Sequence, residues 1–145
     1  MKNILVSACL LGEPCRYDGK SKPCDRVIAL KGTYNLIPIC PEVMGGLPTP
    51  RTPSEICGER VLMKDGRDVT ENYNRGAQKA LEIARENACT VAILKEKSPS
   101  CGSGLIHNGL FDGGLVEGDG ITTQLLKQNG IRVLGESEIT EDFAL

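Results

Sequence analysis

Four short aliphatic runs constrain this chain more than any other feature: Asn3–Ala8, Leu36–Ile39, Thr90–Leu94 and Ile131–Leu134. Runs of this length that are apolar almost throughout read as strands buried on both faces. Between them lie segments of helical character. Asp25–Lys31 is a short one, opened by an acidic cap residue and stopped by Gly32. The clearest starts at Thr70, where Tyr73, Ala77, Ala80, Leu81, Ala84 and Ala88 keep one apolar face. Gly76 interrupts that face and weakens the helix by roughly 1 kcal/mol relative to alanine. Ile121–Gln128 is the last, stopped by Asn129-Gly130. Strands alternating with helices predict an α/β fold, a three-layer open and mostly parallel sheet with helices on both faces, of Rossmann or flavodoxin-like type. The strand order stays open. With no repeat and no composition break, residues 1–145 are expected to form one domain.

The connecting segments are less regular. Leu11–Cys24 reads as a polar loop. Pro41–Pro53 carries so many turn formers (Gly45, Gly46, Pro48, Pro50) that it reads as a long functional loop. Arg60–Lys64 is expected to be a hairpin strand turning at Asp65-Gly66. Lys95–Gly104 reads as a loop and Leu105–Phe111 as irregular.

Charge excludes some functions. A net charge of −2, with no basic stripe, argues against general binding of nucleic-acid polymers. Aromatics at 3% supply few platforms for stacking bases. No run approaches a membrane span, and the apolar start at Asn3–Ala8 is too short for a secretion signal. The expected setting is therefore cytoplasmic, with no membrane partner. There, 7 cysteines are an unusual number and serve better as ligands, nucleophiles or small core residues than as disulfides. No CxxC is present, which removes the usual zinc-ribbon and thioredoxin signatures.

Parallel sheets bind ligands beyond the carboxyl ends of their strands. Cys9 follows the first strand directly, Cys40 follows the second, and Cys101 lies in the loop after the third. Three thiolates converging there can hold a zinc ion or an iron–sulfur cluster and leave one coordination position open. Glu42, two residues after Cys40, is placed to act as a general base. The segment Ser98-Pro99-Ser100-Cys101-Gly102 is small and hydroxyl-rich, suited to turning backbone N–H groups toward an anion. Cys15, Cys24 and Cys57 sit in loops as further candidates, Cys89 reads as a buried small hydrophobe, and His107 reads as a solvated loop histidine rather than a ligand. Gly19-Lys20-Ser21 is not a phosphate loop, because Pro14 stands where the first glycine belongs. Gly102-Ser103-Gly104 is not a dinucleotide fingerprint, because His107 stands at the third glycine.

Three segments carry a family resemblance. They are Val6-Ser7-Ala8-Cys9-Leu10-Leu11-Gly12 with Cys15-Arg16-Tyr17-Asp18-Gly19, then Cys40-Pro41-Glu42 with Gly45-Gly46-Leu47-Pro48-Thr49-Pro50-Arg51, then Leu94-Lys95 with Ser98-Pro99-Ser100-Cys101-Gly102. In this order they resemble the thiouracil desulfidase family of small [4Fe–4S] proteins. The resemblance implies a [4Fe–4S] cluster on Cys9, Cys40 and Cys101, with its fourth iron open to the sulfur of a small thiolated nucleobase. It implies replacement of that sulfur by water without net redox change. It also implies proton transfer through Glu42 and a serine placed at Ser98, with Ser100 as the alternative. Two other readings use the same residues: a zinc-dependent hydrolase on the three thiolates, and a non-enzymatic iron–sulfur or sulfur carrier or sensor.

Overall fold

The computed structural model describes residues 1–145. The four aliphatic runs form one parallel sheet: β1 (Asn3–Ser7), β2 (Asn35–Ile39), β5 (Val91–Leu94) and β8 (Arg132–Gly135). Their spatial order is β2-β1-β5-β8. The chain thus steps from β1 outward to β2, returns past β1 to β5, and continues to β8. Connections leave β1 and β5 in opposite directions, and this reversal opens a crevice beyond their carboxyl ends. There Ser7 Oγ accepts a hydrogen bond from Lys95 N at 2.9 Å, tying the two strand ends together.

Both faces of the sheet are covered because successive strand residues point opposite ways. Leu5, Ala92, Leu94 and Val133 pack with Ala80, Leu81 and Ala84 of α3 (Thr70–Glu86) and Leu126 of α4 (Ile121–Gln128). Ile4, Val6, Ile93 and Leu134 face the other way, onto Leu10, Val27, Tyr34 and Ile139. Val27 lies in α1 (Asp25–Ile28), which continues as a tighter turn over Ala29–Gly32.

The connecting segments hold more order than the sequence suggests. Pro41 to Pro53 is not all loop: Pro41–Met44 forms a single helical turn, α2, with Pro41 at its first position. Arg60–Met63 is a strand, β4, but its main partner is β3 (Ser54–Cys57), reached through Gly58-Glu59. Asp65-Gly66 does turn the chain, yet its return leg pairs only at the Leu62–Asp68 bridge. Leu105–His107 is a strand, β6, paired antiparallel with β7 (Leu115–Glu117). Short strands such as these, with few apolar residues, give almost no periodic signal. No helix is long and apolar enough to cross a membrane.

α2 and α3 meet backbone to backbone. A Cβ built on Gly76 would run into the Pro41 carbonyl, at 2.7 Å from its carbon. One on Gly45 would stand 2.9 Å from the Asn72 carbonyl carbon. Asn72 Nδ2 and Arg75 Nη1 donate to the Gly45 carbonyl at 2.9 and 3.1 Å. The glycine that looks like a defect in the long helix is the point at which Cys40-Pro41-Glu42 is pressed into place.

Candidate active site at the carboxyl ends of the strands

A cavity of about 540 Å³ opens beyond the carboxyl ends of β1, β2 and β5, and Cys9, Cys15, Cys40 and Cys101 all line it. Cys9 lies in the tight turn Ala8–Leu11 that follows β1, and is buried. Cys40 is the residue before α2. Cys101 is buried in the loop after β5. Ser98 shapes that loop: its Oγ accepts the N–H groups of Ser100 and Cys101, both at 3.0 Å. Gly102 follows in a turn so tight that a Cβ would stand 2.6 Å from the Ser98 carbonyl oxygen.

Behind the loop, α4 sets its depth. Thr123 Oγ1 donates to the Cys101 carbonyl at 2.8 Å, and the Ser100 and Thr122 hydroxyls pair at 2.8 Å. Ser98 therefore lines the cavity, whereas Ser100 is fully buried beneath it with its hydroxyl already engaged.

Three of these thiols, Cys15, Cys40 and Cys101, favour their neutral form. Burial, joined by the nearby charges of Glu42 and Cys40, outweighs hydrogen bonds from Ser7 and Ser100 and pushes Cys101 up to about 12. Cys15 shares hydrogen bonds with Cys40, which draws it down, and with Cys9, which raises it. With its burial added it stands at about 11. The contact with Cys15, then burial, raises Cys40 further still. Bringing a metal centre to these sulfurs would release their protons.

Glu42 is gripped on one oxygen. Its Oε1 accepts from Tyr73 Oη at 2.9 Å and from Arg51 Nε at 3.1 Å. The Arg51 side chain is 3% exposed and that of Glu42 18%, so this is a nearly buried ion pair. Arg51 Nη2 also donates to the Cys15 carbonyl at 2.9 Å, and Nη1 reaches the Pro48 carbonyl and Thr49 Oγ1. One guanidinium thus fastens the first loop, α2 and the segment after α2. No hydrogen bond occupies Oε2, which leaves that oxygen available for proton transfer at the cavity.

Neither Tyr73 nor Arg51 was visible as a site residue in the sequence. Tyr73 reads as an ordinary core position of the helix, and Arg51 enters only as the last residue of a turn-rich segment that carries the family resemblance, with no role attached to it. His107 also lines the cavity, and its buried Nδ1 has no hydrogen-bond partner, unlike a solvated loop histidine. Cys24, Cys57 and Cys89 lie outside the lining. Cys89 belongs to the core cluster, and Cys57 donates to the Gly109 carbonyl at 3.4 Å.

The donor set suits an iron–sulfur cluster. Such clusters take thiolate ligands, and Cys9, Cys15, Cys40 and Cys101 all line one cavity.

Known proteins are similar to this chain along nearly its whole length. The family model described as 2-thiouracil desulfurase matches residues 4–138. The chain is 43% identical to YbbK of Bacillus subtilis (strain 168), a protein without a characterised function, over 95% of this chain and 98% of that one. Among solved structures it is similar to the [4Fe-4S]-dependent thiouracil desulfidase TudS. The TM-score is 0.88 at 48% identity, covering 96% of this chain and 93% of that one.

Proposed function

The chain belongs to the 2-thiouracil desulfurase family, and from that membership we propose that it exchanges the sulfur of a thiolated heterocycle such as 2-thiouracil for oxygen. In this reading Cys9, Cys40 and Cys101 hold a [4Fe–4S] cluster. The observation that carries it is that these three thiols, Glu42 and Ser98 all line one cavity. When bound, the cluster supplies a Lewis-acidic iron with affinity for sulfur.

The chain's own residues supply the proton chemistry. Glu42, fixed through Oε1, offers Oε2 to a water molecule and takes its proton as the oxygen approaches the ring carbon. The lone pairs of Ser98 Oγ receive the Ser100 and Cys101 N–H groups, so its own O–H is left to donate toward the substrate. Ser100 acts on the loop rather than on the substrate. Overall, water's oxygen ends on carbon and its protons leave with sulfur as hydrogen sulfide, with no oxidant or reductant. Lys22, Lys64 and Lys97 line the cavity without a carboxylate partner, an electrostatic setting that favours a departing hydrosulfide anion.

The test is anaerobic reconstitution followed by incubation with 2-thiouracil and related thiolated bases. Sulfide and the oxo product are expected in equal amounts, lost on Cys→Ala change at Cys9, Cys40 or Cys101. Fully loaded protein that releases no sulfide from any of them refutes the reading. A protein that passes its cluster to an acceptor without turnover points instead to a carrier.

A further inference from the structure

His107 lines the cavity and takes no part in the proposed reaction. Its Nδ1 is buried and has no hydrogen-bond partner, so the ring meets the cavity through Nε2, which no protein group engages. We propose that His107 is a specificity-determining residue: its Nε2–H donates to a ring carbonyl oxygen of the substrate and so selects oxo-bearing thiolated heterocycles over their amino counterparts. This inference rests on the desulfuration reading above.

The burial of Nδ1 decides where the ring carries its hydrogen. A neutral imidazole has one N–H and one lone pair. Placed on Nδ1, the hydrogen would be a buried donor without an acceptor, the rarer and costlier of the two defects. Placed on Nε2, it faces the cavity, where water or a ligand accepts it. The surroundings of one nitrogen thus set the role of the other, and the ring is a donor toward the site.

The backbone holds that ring in place. His107 ends β6 and pairs with Leu115 of β7. The residue before it, Ile106, forms a parallel bridge with Lys97. One residue further along each segment stand His107 and Ser98, both on the cavity lining. Beyond His107, the N–H groups of Gly109 and Phe111 donate to Oε1 of the buried Glu55 at 2.9 and 3.2 Å. A donor fixed in this way, in register with Ser98, addresses the ring edge beside the one that reacts.

The chemistry of the substrate ring decides what can accept from it. In 2-thiouracil both ring nitrogens bear hydrogen, so apart from the sulfur the strong acceptor is the carbonyl oxygen. In 2-thiocytosine an amino group stands in that place, and two donors would confront each other. A donor left unpaired on binding costs on the order of 10- to 100-fold, and sites built to bond a polar group reject analogues that lack it.

The test compares reconstituted wild type with His107→Leu and with His107→Gln, whose amide nitrogen lies near the place of Nε2. Sulfide release is measured as kcat/KM on 2-thiouracil and on 2-thiocytosine. Wild type is expected to favour 2-thiouracil by on the order of 10- to 100-fold. His107→Leu is expected to lose most of that preference, through a fall on 2-thiouracil alone and with cluster content unchanged, and His107→Gln to regain part of it. A second readout needs no turnover. His107 is the chain's only histidine, so the imidazole signals in a nitrogen-15 spectrum of labelled wild type belong to it alone, and they are expected to place the hydrogen on Nε2.

A hydrogen on Nδ1 overturns the inference, as does equal use of both bases by the wild type. So does an equal fall on both bases in His107→Leu, which would set the ring against the thiocarbonyl they share or give it a structural role only, and so does a His107→Gln protein as unselective as His107→Leu. The wild-type ratio and spectrum decide the matter even where a variant fails to fold. Loaded wild type that releases sulfide from neither base refutes the desulfuration reading itself, a result distinct from the others.

Discussion

Replacing Gly76 by alanine tests the architecture that places Cys40-Pro41-Glu42. By helix propensity alone, Gly76→Ala on an α-helix gains about 1 kcal/mol. In this fold the added methyl would enter the Pro41 carbonyl, 2.7 Å from its carbon, where ordinary contact starts at 3.4 Å. Both partners are backbone, so no rotamer change relieves the overlap and α2 must separate from α3. Overpacking of this kind costs typically 1–3 kcal/mol, and a backbone contact lies at the upper end. The net loss is then about 2 kcal/mol, a fall in Tm of about 4–8 °C for a chain of this size.

The displacement is also passed to Glu42, one residue beyond Pro41. A shift of about 1 Å in a catalytic group can lower the rate on the order of 100-fold, so turnover is expected to drop more than stability does. Thermal unfolding followed by circular dichroism, with sulfide release assayed well below the midpoint, separates the two effects. Gly32→Ala, at a position with nothing within 4 Å, is the neutral control. A Gly76→Ala protein as stable as wild type, with unchanged turnover, would refute the claim that the helices touch through their backbones.

Other consequences are equally direct. Glu42→Gln is expected to lower sulfide release by about 10²–10⁴-fold with cluster content unchanged, the usual contribution of a general base. Tyr73→Phe removes one of two donors to Oε1 and should cost on the order of tenfold in rate, whereas Arg51→Ala leaves a nearly buried carboxylate unpaired and should cost about 3 kcal/mol in unfolding free energy by urea titration.

Asp68 is held at about 2 by hydrogen bonds from Thr70 and by Arg60. The stability it contributes is present above its ordinary carboxylate range and is lost as pH falls toward 2, so an Asp68→Asn protein should show a flatter acid limb in pH-dependent unfolding. Cys101 and Cys15, at about 12 and 11, give the opposite sign. Their contribution to the cluster-free protein is complete below the ordinary thiol value of 9.0 and declines as pH rises past it, and cluster loading, which needs thiolates, should quicken with pH over the neutral-to-alkaline range.

The sheet was legible in the sequence because its strands are buried on both faces and therefore apolar without a break. That Cys9 and Cys40 reach one end of the sheet was legible for the same reason, since each directly follows a strand, whereas the place of Cys101 in the cavity depends on the loop after β5. Tyr73 and Arg51 were not. Their importance comes from the approach of α3 to α2 and from a segment folded back across the first loop, both long-range facts with no local period. The turn of helix at Pro41–Met44 escaped because a single turn leaves too few residues for a pattern and its flanks are rich in Gly and Pro. Ser98 and Ser100 look equivalent in sequence. Only the position of Thr122, more than twenty residues later, separates the cavity-lining hydroxyl from the buried one.

That dependence on α4 bears on how the protein is made. Synthesis delivers the amino-terminal side first, so the thiols of Cys9, Cys40 and Cys101 all leave the ribosome before Thr122, Thr123 and β8 do. A nascent chain halted there has every sulfur it needs but nothing behind the third one to set its depth. On the proposed ligand set, insertion of a cluster is then expected to follow completion of the polypeptide, once Thr122 and Thr123 hold the loop behind Cys101.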